Sequence, residues 1–285
     1  MTTSALASFR RTLQDRPLAA IVELVCRAGY LARGFVYVSI GFIALLAALD
    51  RTPKAQGAMG ALEAWASWPL GFALLWLTGA GLYGFAAWRA LQALLDADRQ
   101  GTGWKGLASR AGQAVSGVVY ASLAVSVFGL VDALEDLREV DDRAETRQGL
   151  ETALAMPGGE LIVIVVGLFV LGVGIGNIWQ AGTDDFCKHM SCDQGVQRPV
   201  ALLGRFGYLA RGVAFLPAGG FLVLAGWNAR ASDAQGLGAA LDILERQPFG
   251  EWLLALTAMG LMAFGLFAFA EARYRRMRMD RTIKA

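Results

Sequence analysis

The chain has 285 residues, of which 55% are hydrophobic and only 18% charged, and its mean hydropathy is +0.45. Soluble globular chains carry ~45–50% apolar and ~25% charged residues, so the balance excludes an ordinary soluble domain. A net charge of +2 offers nucleic acid no attractive field, and three cysteines with one histidine exclude a disulfide framework or a His-rich centre.

At the N-terminus, Ser8-Phe9-Arg10-Arg11 pairs two arginines as a secretory or twin-arginine signal would. Asp15, Arg16 and Glu23 then interrupt the apolar run that such a signal needs. Residues 1–26 read as a cytoplasmic and interfacial segment, with an amphipathic helix over 17–28 lying at the membrane surface. Six apolar runs follow, at 34–49, 70–88, 115–131, 161–179, 213–227 and 252–270. Several fall short of the ~20 residues that a bilayer requires. Their helices must therefore extend into flanking residues such as Arg33 or Arg211, whose long side chains can reach back to the headgroups.

The runs fall into three copies of a two-span unit, over 27–95, 110–180 and 205–273, joined by linkers 96–109 and 181–204 and ending in a basic tail, 274–285. The first helix of each unit opens on Arg27-Ala-Gly29, Arg110-Ala-Gly112 or Arg205-Phe-Gly207. At unchanged spacing come Gly34, Gly117 or Gly212, and then Tyr37, Tyr120 or Phe215. The second helix opens on Pro69-Leu-Gly71, Pro157-Gly-Gly159 or Pro248-Phe-Gly250. It continues with a glycine pair: Gly79 and Gly84, Gly167 and Gly172, or Gly260 and Gly265. Copies one and three also share Tyr30-Leu-Ala-Arg33-Gly34 and Tyr208-Leu-Ala-Arg211-Gly212, where copy two has Gln113 and Ser116. Between the spans of copies one and three, apolar spacing from Ala55-Gln56-Gly57 and Ala234-Gln235-Gly236 predicts short amphipathic helices on the outer face.

An even number of spans per copy inserts every copy in one direction, so rotation about the membrane normal should relate them. The fold class is therefore all-α: a polytopic membrane protein of six transmembrane helices, arranged as three tandem repeats with pseudo-threefold order. Lys and Arg set its orientation. Nineteen fall in the N-terminal segment, the second and fourth loops and the tail, against seven on the other side. The positive-inside rule then places both termini in the cytoplasm of a multi-pass protein of the bacterial inner membrane. The 132–151 loop, rich in Asp and Glu, falls outside.

These landmarks resemble the bacterial membrane family catalogued as domain of unknown function 1206, which carries this two-span unit in three copies. The resemblance rests on the Arg-x-Gly-Tyr-Leu-Ala-Arg-Gly openings, the Leu95-Asp96-Ala97-Asp98-Arg99-Gln100-Gly101 linker and the Glu271-Ala272-Arg273-Tyr274-Arg275-Arg276 ending. It implies a fold and no particular activity.

Candidate sites are few. Arg27, Arg33, Arg110, Arg205 and Arg211 recur near one end of the odd-numbered spans, where they set topology or bind anionic lipid headgroups, with Tyr30 and Tyr208 as aromatic anchors. Ser39, Ser122 and Pro217 occupy equivalent mid-span positions, and Asn177 is the strongest polar side chain within a span. Cys187, His189 and Cys192 have the spacing of three zinc ligands, although no second cluster pairs with them. Gly172-Val-Gly174-Ile-Gly176 lies inside a span, where it signals close helix packing. No charged residue falls between the interfaces as the apolar runs define them, which argues against ion-coupled transport. The sequence calls for no cofactor or metal. It reads as a non-enzymatic structural, lipid-interacting or partner-binding module; the alternative is a passive pore or carrier for a small neutral or lipophilic molecule. Anionic membrane lipid is the expected partner, and a membrane-protein partner or a second copy is left open.

Overall fold

The computed structural model describes residues 16–52, 55–66, 68, 70–96, 100–135, 150–187, 190–191, 194–233 and 236–275. Six long helices are long and apolar enough to cross a membrane. They are α1 (Arg16–Ala48), α3 (Gly71–Leu95), α4 (Trp104–Glu135), α5 (Gly159–Thr183), α6 (Gln194–Trp227) and α8 (Gly250–Tyr274). Two short helices, α2 (Ala58–Ala66) and α7 (Leu237–Glu245), bury Leu62 and Leu241 and close the end of the bundle away from the termini. These are the two amphipathic segments expected on the outer face.

The expected surface helix over 17–28 is not a separate element. It is the first part of α1, which runs unbroken into the span because no proline, glycine turn or cap interrupts it after residue 17. At the far end of α3, Asp96 takes the left-handed conformation (φ 54°), and its carboxylate accepts the backbone N–H groups of Gln100 and Gly101 at 2.7 and 2.8 Å. That turn caps the end of α3.

The spans pack side by side in an open arc, in the order α5–α6–α8–α1–α3–α4. Three of the seams join neighbouring repeats: α3 with α4, α5 with α6, and α8 with α1. Two lie within a repeat, α1 with α3 and α6 with α8. Small residues make the seams close. A Cβ on Gly29 would stand 2.6 Å from the Phe85 backbone, and one on Gly207 would stand 2.5 Å from Phe264 Cα. The equivalent seam within copy two, between α4 and α5, is not packed. Gly112, which corresponds to Gly29 and Gly207, has open space where a Cβ would go, and so do Gly172 and Gly176 on α5. The expectation of close packing at Gly172 and Gly176 is thus corrected. Gly79, Gly84, Gly167, Gly260 and Gly265 do meet neighbouring helices.

The contacts also correct the register of copy three. Gly260 abuts Ala210 just as Gly81 abuts Ala32, and Gly265 meets Gly34 across a repeat boundary just as Ala86 meets Gly117. Gly260 and Gly265 therefore occupy the places of Gly81 and Ala86, not of Gly79 and Gly84. The shift is the one that already relates Pro69-Leu-Gly71 to Pro248-Phe-Gly250. Glycine-rich helices offer several near-equal registers by sequence, and only the neighbour across the seam chooses among them.

Candidate functional site

Helical spacing of about 100° per residue divides each first helix into three faces. On α1, Gly29 and Ala32 face α3, Gly34 and Gly41 face α8, and Arg33 and Tyr37 fall between them, towards the inside of the arc. On α6 the same division places Gly207 and Ala210 against α8, Gly212 and Gly219 against α5, and Arg211 and Phe215 inside. Arg33 and Arg211 are therefore interior residues. Both lie on the stretches by which the helices extend past the apolar runs, and their side chains turn into the bundle.

The interior layer alternates cations with rings. The Arg33 guanidinium lies 5.0 Å from the Phe85 ring centre and 4.8 Å from that of Phe264. Arg89 faces Phe85 at 5.0 Å, and Arg211 faces Phe264 at 5.0 Å and Phe215 at 4.7 Å. Three guanidiniums thus share two phenylalanines, in the order Arg89–Phe85–Arg33–Phe264–Arg211. A cation over a ring face is attracted by about 0.5–2 kcal/mol, more when dry, but the contact does not neutralise its charge. One carboxylate does so in part. Glu271 accepts from Arg33 at 2.6 Å, where both side chains are almost wholly buried, and from Arg275 at 2.5 Å. Among the described residues no carboxylate bonds Arg89 or Arg211. Buried donors remain without an acceptor there: the Nε atoms of Arg33, Arg89 and Arg211, and Asn177 Nδ2. Asn177, 4% exposed, holds the place on α5 that Arg89 holds on α3.

The other recurring arginines do something different. Arg27 donates to the carbonyls of Ala272 and Arg273 at the end of α8, and also to Glu23. Arg110 donates to Ala93 at 2.7 Å and Leu94 at 3.3 Å, at the end of α3. Each clamps the last carbonyls of the preceding repeat, which have no partner within their own helix, with a charge that suits the helix terminus. Arg205, their counterpart, is exposed. Tyr30 is fully buried rather than an interfacial anchor: it accepts from Trp88 Nε1 at 3.3 Å and meets Phe85 edge-on. Tyr208 is half-buried among Phe186, Phe264 and Phe267.

The mid-span set does not converge. Ser39 donates to the Phe35 carbonyl and accepts from Trp65 Nε1 at 3.0 Å, which fastens α2 to α1. Ser122 is exposed and Pro217 half-buried. In the Cys–His motif, Cys187 is half-buried, while His189 and Cys192 lie outside the described residues. Sequence reasoning missed Glu271, Arg89 and Phe85. Glu271 stands in the sequence only as part of the family ending, and the signal for it is its pairing in register with Gln92, likewise buried.

Fold and interior together define a polytopic α-helical membrane protein of three tandem two-helix repeats. Segments 28–96, 111–184 and 206–275 match the family described as Domain of Unknown Function (DUF1206), and the chain belongs to that family. It is similar to the "Uncharacterized protein YxxB" of Bacillus subtilis (strain 168), with 29% identity over 259 residues, covering 90% of this chain and 92% of that one. No solved structure matches it.

Proposed function

We propose that this protein is a non-enzymatic module of the bacterial inner membrane, with both termini cytoplasmic, whose role is to engage anionic membrane lipid. The observation that carries this reading is the open seam of copy two. Five seams between spans are packed, and the sixth leaves α4 and α5 apart, with apolar faces that only acyl chains or another helix can cover. Rings fill the centre of the arc: Tyr37 meets Phe264 at 4.6 Å and Phe85 meets Tyr120 at 4.7 Å, both edge-to-face. That filling supports a lipid-engaging module over a pore along the repeat axis. Lipids extracted from protein purified in neutral detergent and identified by mass spectrometry test the reading. Anionic phospholipid enriched well above its share of the source membrane is expected. Retention that mirrors the bulk membrane would overturn it.

A further inference from the structure

We infer that the interior of copy two is a specific site for the phosphate headgroup of one anionic phospholipid, whose acyl chains lie between α4 and α5. The inference rests on the lipid-engaging reading above and gives it a location, a stoichiometry and a set of residues.

Charge makes the first argument. The interior layer holds Arg33, Arg89 and Arg211, and among the described residues the one carboxylate bonded to any of them, Glu271, is shared with Arg275. Uncompensated charge away from water is costly, and among the described residues four buried donors in the layer find no acceptor. A phosphate supplies negative charge and several acceptor oxygens at once, and the guanidinium fork matches it. Asn177 is the second, independent pointer. It is almost wholly buried, its Nδ2 has no acceptor among the described residues, and its register places it on the interior face of α5, beside the unpacked seam.

The route into the site is the seam itself. In copies one and three the glycine of the first helix sits hard against a phenylalanine backbone. Copy two keeps that glycine, Gly112, and has Gly172 and Gly176 on α5, yet all three face open space. Copy two also has Ser116 where copies one and three carry Arg33 and Arg211, so the first helix of copy two brings a small hydroxyl in place of a further cation. Depth agrees with a phospholipid. Arg211 lies 16 residues before the end of α6 at Trp227, or about 24 Å at 1.5 Å per residue. In a hydrocarbon layer of about 30 Å, that places its Cα about 6 Å below the headgroup boundary at the basic end. A guanidinium on a long side chain spans that distance.

Native mass spectrometry of the full-length protein in neutral detergent, with added phosphatidylglycerol or phosphatidylcholine, tests the site. One phosphatidylglycerol is expected to bind, at least tenfold more tightly than phosphatidylcholine. Arg211→Gln, Asn177→Leu and the seam-filling Gly172→Leu should each weaken it about tenfold or more, whereas Arg211→Lys keeps part of the affinity and Arg205→Gln, an exposed arginine at the same end, leaves it unchanged. Circular dichroism and thermal melts confirm that each variant is folded. Equal losses for Arg205→Gln and Arg211→Gln would reduce the effect to surface charge and overturn the site. So would competition by inorganic phosphate at equal concentration, which would mark the ligand as a soluble anion. A third overturning result is a disulfide between Gly112→Cys and Val173→Cys, in a background free of native cysteines, that forms as readily with phosphatidylglycerol as without it, because the seam would then close on itself. If the wild type retains anionic lipid that Arg211→Gln retains equally, this site fails and the broader reading stands. If the wild type retains none, both fail.

Discussion

Arg33 and Arg211 occupy equivalent places in their repeats, yet only Arg33 has a carboxylate. The difference arises because the second helix of copy three brings Glu271 to Arg33 across the α8–α1 boundary, whereas the corresponding position on α5, the helix that packs on α6, is the uncharged Gln180. The ion pair is expected to behave as a buried one, where loss of one partner costs ~3–5 kcal/mol because the other is left charged and dry. The two partners should not be equivalent, however. Glu271→Leu takes the carboxylate from both Arg33 and Arg275, while Arg33→Met leaves Glu271 bonded to Arg275 at 2.5 Å. Unfolding midpoints in detergent should therefore fall further for Glu271→Leu, and the double variant should cost less than the two single losses added. Equal losses that simply add would mean that the pair is not the unit it looks to be. The clamping arginines give a milder test. Arg110→Lys keeps the charge and loses the fork over Ala93 and Leu94, which should cost about 1–2 kcal/mol, whereas Arg205→Lys at its exposed position should be close to neutral. None of this was legible in the sequence beyond the recurrence of the residues. Recurrence shows that a position matters, and the direction in which a side chain points comes from the register of its neighbours.

At the scale of the helix pair, the glycines separate packed seams from the open one. Gly207→Ala introduces a Cβ 2.5 Å from Phe264 Cα, which is backbone and cannot swing away, so α6 and α8 must move apart. Overpacking of this kind costs typically 1–3 kcal/mol. Gly112→Ala places the same methyl in open space, where it removes a helix-weakening glycine and should be neutral or stabilising by up to about 1 kcal/mol. Thermal melts of the two variants should thus move in different directions; a matching loss in both would mean that the α4–α5 seam closes in the membrane. The three-copy layout was readable from the sequence because the landmarks Arg-x-Gly, Gly and Tyr or Phe hold their spacing within a single helix. The register of the second helix in copy three was not, because Gly79, Gly81 and Gly84 offer alternative partners for Gly260 and Gly265 that only Ala32 and Ala210 resolve. The openness of copy two had a faint signal, the loss of Tyr and Arg to Gln113 and Ser116, although divergence in itself does not say which seam is lost.

For the whole molecule, the remaining prediction is its orientation, which rests on charge and on the two ends of the bundle being chemically unlike. One end carries the start of α1 and the end of α8, with Arg27, Arg110 and Arg205; the other carries α2, α7 and the residues around Asp50 and Asp233. Acidic groups crowd the second end enough to act on one another: partial burial, with Asp242 and Asp50 nearby, holds the Glu245 carboxyl above its ordinary value. A basic end beside the anionic cytoplasmic leaflet and an acidic end facing outwards is the arrangement that the positive-inside rule favours. Two exposed positions report on it, Arg230 just beyond α6 and Trp104 at the start of α4. Single-cysteine variants there, with the three native cysteines replaced, would be exposed to a membrane-impermeant maleimide in intact spheroplasts. Arg230→Cys should label readily and Trp104→Cys only after lysis. The reverse pattern would invert the protein and move the arginine layer to the outer leaflet, where fewer anionic headgroups are available to fill it. Labelling at both positions before lysis would break the six-span topology itself, since α4, α5 and α6 lie between them and an odd number of crossings must separate the two sites.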